Sequence, residues 1–193
     1  MHAGLGIIHS ERPPQNIHEI GGRQEIIQLW VNSPAKNKMD VPSYHPLTAG
    51  DTPSVLSEDG LVHVNMIAGS LLGSKGPIPA LTPVNAATIF FTKRGKVTIP
   101  LPSSHNAFLY LLDGKVTIEG YGLAEAFHAV VFNNDGEGIT VEALEDTRAL
   151  LMSGEPLNEK VESYGPFVMN SQSEILQAMR DYQMGKMGVL IED

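Results

Sequence analysis

The sequence has no cysteine, which excludes disulfides, thiolate metal sites and cysteine nucleophiles. A reducing compartment suits such a chain, and a cytoplasmic location is expected. Apolar runs are all far shorter than the roughly 20 residues of a membrane span, and Met1-His2-Ala3-Gly4 opens with neither a basic region nor an apolar signal core. No membrane association or export signal is therefore read. Basic residues are scarce: 13 Lys and Arg stand against 22 Asp and Glu, for a net charge of −9. Such a chain repels phosphate backbones. Its densest basic stretch, Lys93-Arg94-Gly95-Lys96, reads as a solvated hairpin turn, so direct nucleic-acid binding is not expected. No internal repeat or low-complexity segment is visible.

What is present is enough apolar material for a core, 42% of 193 residues, punctuated by 19 Gly and 13 Pro. Short strand-like runs lie between these breaks. Residues 26–31 (IIQLWV) form one, and 62–67 (VHVNMI) alternates more clearly. The runs 108–112 and 115–119 flank Asp113-Gly114, a dipeptide that predicts a tight hairpin because both positions tolerate positive φ. Further strands are expected at 128–132, 138–142 and 149–152, with Asn134-Asp135-Gly136 as a turn. The spacing predicts an all-β sandwich or barrel. One helix follows late. Ser171 is a suitable N-cap with Glu174 three residues on, and Ile175, Met179 and Tyr182 recur on one face before Gly185. That stripe is expected to cover part of the β core.

Three stretches carry a resemblance. They are 4–13 (GLGIIHSERP), 28–39 (QLWVNSPAKNKM) and 164–170 (YGPFVMN). Ile67-Ala68-Gly69, Gly73, Pro83 and Gly154-Glu155-Pro156-Leu157 fall between them in matching order. Together they resemble the pirin family of the cupin superfamily. The resemblance implies a bicupin, two jelly-roll (double-stranded β-helix) domains with a C-terminal helix. It divides this chain into a partial N-terminal cupin, residues 1–43, and a C-terminal cupin with its helix, residues 44–193. It further implies one divalent metal, normally iron(II), in the N-terminal cupin, held by a His-x-His pair and by the His and Glu found here as His9 and Glu11. Glu11 would also take a substrate proton. The implied reaction is a quercetin 2,3-dioxygenase-like oxygenation of a flavonol-like aromatic substrate. Other members of the family act as partners of transcription or metabolic proteins. The chain departs from the pattern at its start: Met1 falls inside the first motif, so the His-x-His pair is absent.

On a strand, His9 and Glu11 at i and i+2 would face one cation, and a His with a carboxylate suits non-haem iron. Two protein ligands rarely hold iron(II) against water, so weak or no iron binding is expected here. The remaining histidines read as scattered. His2 is placed on a flexible terminus, His18 and His45 in exposed segments, His63 on a strand, and His105 and His128 in a second cupin without a metal motif. Ser103-Ser104-His105 lacks the separation of a catalytic triad, and Gly69 to Gly76 lacks a phosphate-loop pattern. Two readings stay open: a metal-dependent dioxygenase compromised by its missing half-site, and a non-catalytic binding or regulatory protein acting through protein–protein contacts. A homodimer is expected, because the strand carrying His9 and the run 26–31 would otherwise lack partners.

Overall fold

A computed structural model describes residues 1–191. Two units result: His45–Leu157, and Met1–Tyr44 together with the described residues from Asn158 onward.

The 45–157 unit is a two-layer antiparallel sandwich. Its strands are β1 (Ser54–Leu56), β2 (Val62–Ala68), β3 (Ser70–Leu71), β4 (Ser74–Lys75), β5 (Val84–Phe91), β6 (Lys96–Pro100), β7 (Asn106–Asp113), β8 (Lys115–Ile118), β9 (Gly122–Glu125), β10 (Ala129–Phe132), β11 (Gly138–Ala143) and β12 (Thr147–Gly154). One sheet has the order β1-β2-β5-β12-β7-β10 and the other β6-β11-β8-β9, with β3-β4 a separate ribbon. From β5 onward the chain thus passes from layer to layer at every step except the β8-β9 hairpin, the interleaving of a jelly roll. Period-two patterning builds the core. Val62, Val64 and Met66 on β2 and Leu109 and Leu111 on β7 are fully buried. They belong to one cluster with Ile99 of β6, Val116 of β8 and Val141 of β11 in the facing sheet.

The Asp113-Gly114 hairpin expectation is overturned. β7 pairs with β12 and β10, whereas β8 pairs with β11 and β9. Asp113-Gly114 is therefore a corner at which the chain leaves one sheet for the other. Gly114 takes φ +77°, and a Cβ there would sit 2.1 Å from Thr147 Oγ1. Asp113 ties the corner to β12 by accepting from the Arg148 amide at 2.7 Å and from its Nε at 2.6 Å. The basic stretch 93–96 is likewise a crossing between sheets, since β5 and β6 lie in different layers.

The second unit contains α1 (Gln15–Ile20), the hairpin β13 (Glu162–Tyr164) with β14 (Phe167–Met169), and α2 (Gln172–Gln183). Ser171 caps α2 as expected, its Oγ accepting from the Glu174 amide. Ile175 is the buried residue of the helix, and Tyr182 meets Phe167 of β14 edge-on with ring centroids 6.3 Å apart. The apolar stripe thus has the β13-β14 hairpin as its near surface. No helix among the described residues is long and apolar enough to cross a membrane.

Candidate functional site

His9 and Glu11 lie in the 1–44 and 158–191 unit, both exposed, in a segment without regular secondary structure. The expected common strand is not formed. Residues 21–34, which include the run 26–31, are also free of strand. The two segments nevertheless meet, because Gln28 Nε2 donates to Glu11 Oε1 at 2.6 Å. The first segment is fastened further along, where the Ile8 amide donates to the Met187 carbonyl at 3.3 Å.

The other two motif stretches are joined by a polar network. Lys38 is buried, and its Nζ donates to Asn32 Oδ1 at 2.6 Å. Burial pushes the Lys38 ammonium below the ordinary lysine range, while Glu159 and Glu174 pull it back up. Glu159 Oε2 accepts from the Ala35 amide at 2.7 Å and from Asn170 Nδ2 at 3.3 Å. Glu174 Oε2 accepts from Ser171 Oγ at 2.8 Å and from the Asn170 amide at 3.2 Å. The segments around 32–38 and 159–174 are thus bound through shared carboxylates, a role in folding that their sequence did not disclose.

No group of three or more His, Asp or Glu among the described residues is arranged to hold a metal ion. His9 and Glu11 supply two ligand types suited to non-haem iron, but one of the two, Glu11, already accepts a hydrogen bond from Gln28. The residues present do not fit a complete iron site. His18, His45, His63 and His128 are exposed and separate. His128 Nδ1 lies against the carbonyls of Glu125 and Ala126, at 3.0 and 3.1 Å. His2 departs from the expected flexible terminus: its backbone pairs in both directions with Ser43, at 2.8 and 3.0 Å, and its Nε2 is buried without a partner.

His105 is the residue that sequence reasoning passed over. It is 8% exposed, just before β7, and its Nδ1 lies 3.1 Å from Ser153 Oγ on β12. Ser153 Oγ accepts from Asn85 Nδ2 at 3.1 Å, and Asn85 Oδ1 accepts from the Ser70 amide at 2.9 Å. Ser153 stands opposite both Asn85 and Ala107 across the sheet. Gly69, at φ +76°, makes room for this amide, since a Cβ would lie 2.3 Å from Asn85 Oδ1. Nothing in the local sequence signals the relay, because its members are brought together only by sheet register.

Comparison with known proteins gives a consistent answer. A family profile described as "Pirin C-terminal cupin domain" matches residues 87–188. A pirin-like protein of Solanum lycopersicum is 38% identical over 195 residues, covering 97% of this chain and 63% of its own length. Pirin of Homo sapiens is 35% identical over 193 residues, covering 97% and 64% respectively. The crystal structure of a quercetin 2,3-dioxygenase from Acinetobacter baumannii superposes with a TM-score of 0.79 at 33% identity, covering 84% of this chain and 56% of that one. The chain therefore spans about three fifths of the length of the relatives it matches. The sandwich with its C-terminal helix, the motif stretches in order, and a profile match over more than half its length establish that this chain belongs to the pirin family.

Proposed function

We propose that the chain derives from metal-dependent oxygenases of the quercetin 2,3-dioxygenase kind, with His9 and Glu11 as two of the metal ligands. Glu11 is also the carboxylate that accepts a hydroxyl proton from a flavonol-like substrate. The observation that carries this reading is the likeness to the Acinetobacter baumannii quercetin 2,3-dioxygenase, at 33% identity. As described, the chain offers an incomplete ligand set, so the reading predicts weak iron binding and little turnover. The test is elemental analysis after anaerobic loading with iron(II) and exhaustive dialysis, alongside oxygen uptake with quercetin. The expected result is iron well below one per chain, reduced further in His9→Ala and Glu11→Ala. Residual iron that ignores both substitutions removes them as ligands. Near-stoichiometric iron lost in His9→Ala would refute weak binding and show that another residue or a second chain completes the site.

A second reading is a non-catalytic binding protein of the cytoplasm. It is favoured by the exposed apolar run 26–31, in which Trp30 is 66% and Ile26 70% exposed. Exposed aromatic and aliphatic side chains in one segment suit a protein–protein contact. A second copy of the chain is the occupant we assign to it, giving a homodimer.

A further inference from the structure

We infer that the 45–157 sandwich carries a metal-independent binding cavity of its own, built around His105, for a small uncharged molecule that presents a carbonyl or hydroxyl oxygen. A cavity of about 370 Å³ opens at the end of the sandwich where His105 lies. This is near the lower end of the range for small-molecule sites, about 300–1,000 Å³. Its apolar lining includes Val130 and Ile139, both buried. Its polar lining includes Glu119, Tyr121 and Asp135.

The relay described above decides what His105 offers to this space. The Ser70 amide fixes Asn85 Oδ1 as an acceptor, so Asn85 Nδ2 is the donor to Ser153 Oγ. Ser153 is 4% exposed, and the acceptor within reach of its hydroxyl proton is His105 Nδ1 at 3.1 Å. A buried hydroxyl left without an acceptor costs about 1–3 kcal/mol, so we assign that proton to Nδ1. A neutral imidazole that accepts at Nδ1 carries its own proton on Nε2. The histidine is more than nine-tenths buried, and among the described residues its Nε2 has no protein partner. Among the described residues the one polar side-chain atom both sealed and unpartnered is His2 Nε2. His105 Nε2 is therefore not sealed, and the space beside it is the cavity. The result is an oriented N–H donor at the wall of a pocket whose lining is part polar and part apolar.

The same lining sets the charge of the ligand. Among the described residues no Lys or Arg lines the cavity, while Glu119 and Asp135 do. An anion would lack a counter-ion and meet two carboxylates, so a carboxylate or phosphate is disfavoured. An uncharged molecule with an acceptor oxygen and a partly apolar body fits both the donor and the mixed walls. This inference does not rest on His9 or Glu11.

The test uses the full chain with 15N-labelled histidine, and benzamide and benzoate as a matched neutral and anionic pair. Long-range 1H–15N correlation reads the tautomer of His105, and titration reads binding. The expected result is the Nε2–H tautomer and a saturable benzamide-dependent shift of the His105 resonances, unchanged by EDTA. Benzoate should bind at least about tenfold more weakly. His105→Phe should weaken benzamide about fivefold, the loss of one neutral hydrogen bond. Should that variant fold poorly, Val131→Trp at the exposed rim keeps the question open to measurement: it should block benzamide while leaving the His105 tautomer intact. A proton on Nδ1, equal affinity for benzoate, abolition by EDTA, or no saturable shift would each overturn the inference.

Discussion

Replacing Gly114 by Ala tests whether the Asp113-Gly114 step is a sheet-to-sheet corner. Gly114 and Gly120 share the same φ of +77°, yet a Cβ at Gly120 meets nothing within 4 Å. At Gly114 it would lie 2.1 Å from Thr147 Oγ1 and 2.6 Å from the Asp146 carbonyl. The left-handed backbone costs an L-residue about 1–2 kcal/mol, offset in part by about 0.4–1 kcal/mol from a stiffer unfolded chain. That balance is common to Gly114→Ala and Gly120→Ala. Only at Gly114 must Thr147 move. Its hydroxyl is buried, accepts from the Lys115 amide at 3.0 Å and donates to the Glu145 carbonyl at 2.9 Å. Disturbing it adds about 1–3 kcal/mol. With a urea dependence of about 1–3 kcal/mol per molar, Gly114→Ala should unfold roughly 1 M earlier in urea than Gly120→Ala. Far-UV circular dichroism is the right probe, because the single tryptophan, Trp30, belongs to the other unit. Equal midpoints for the two variants would refute the close approach at this corner.

Leu109→Ala, at a fully buried position of β7, should cost about 2–5 kcal/mol, whereas Leu123→Ala on β9, 54% exposed, should stay within about 0.5 kcal/mol in the same urea titration. Ser171→Ala should cost about 1 kcal/mol of α2 stability by removing the cap, read as faster hydrogen exchange across residues 172–183; unchanged exchange would remove the cap from the account. The Asp59 carboxyl is held below the usual carboxylate range, first by the Ser57 hydroxyl, then by the Leu61 and Lys96 amides at 2.9 and 2.8 Å. Its contribution is therefore complete above the unfolded value near about pH 4, and is lost as pH falls through the lower folded value. Asp59→Asn should flatten that acid dependence, and an unchanged acid profile would count against it. Sedimentation at micromolar concentration should show a dimer that Trp30→Ser weakens; a monomer at 20.9 kDa would exclude the contact proposed for residues 26–31.

Local pattern alone settled six strands of the sandwich, β2, β7, β8, β10, β11 and β12, while β5 (Val84–Phe91), β6 and β9 went unread. The alternation in β2 and β11 and the Ser171–Glu174 cap of α2 are properties of a short stretch of chain, set by the two- and 3.6-residue periods of the backbone. The motif stretches also settled the family. What the pattern could not settle was pairing. A strand is a relation between two segments, so residues 7–11 and 26–31 have strand-like composition without strand structure. An Asp-Gly step can close a hairpin or turn a corner between layers, and only the partners of β7 and β8 tell which. The same holds for His105. It sits between the Ser103-Ser104 turn and the start of β7, yet its chemistry is set by Ser153, 48 positions away, and by Asn85, 68 positions before Ser153. Tertiary structure decided these features because register across a sheet brings together side chains that no local period relates.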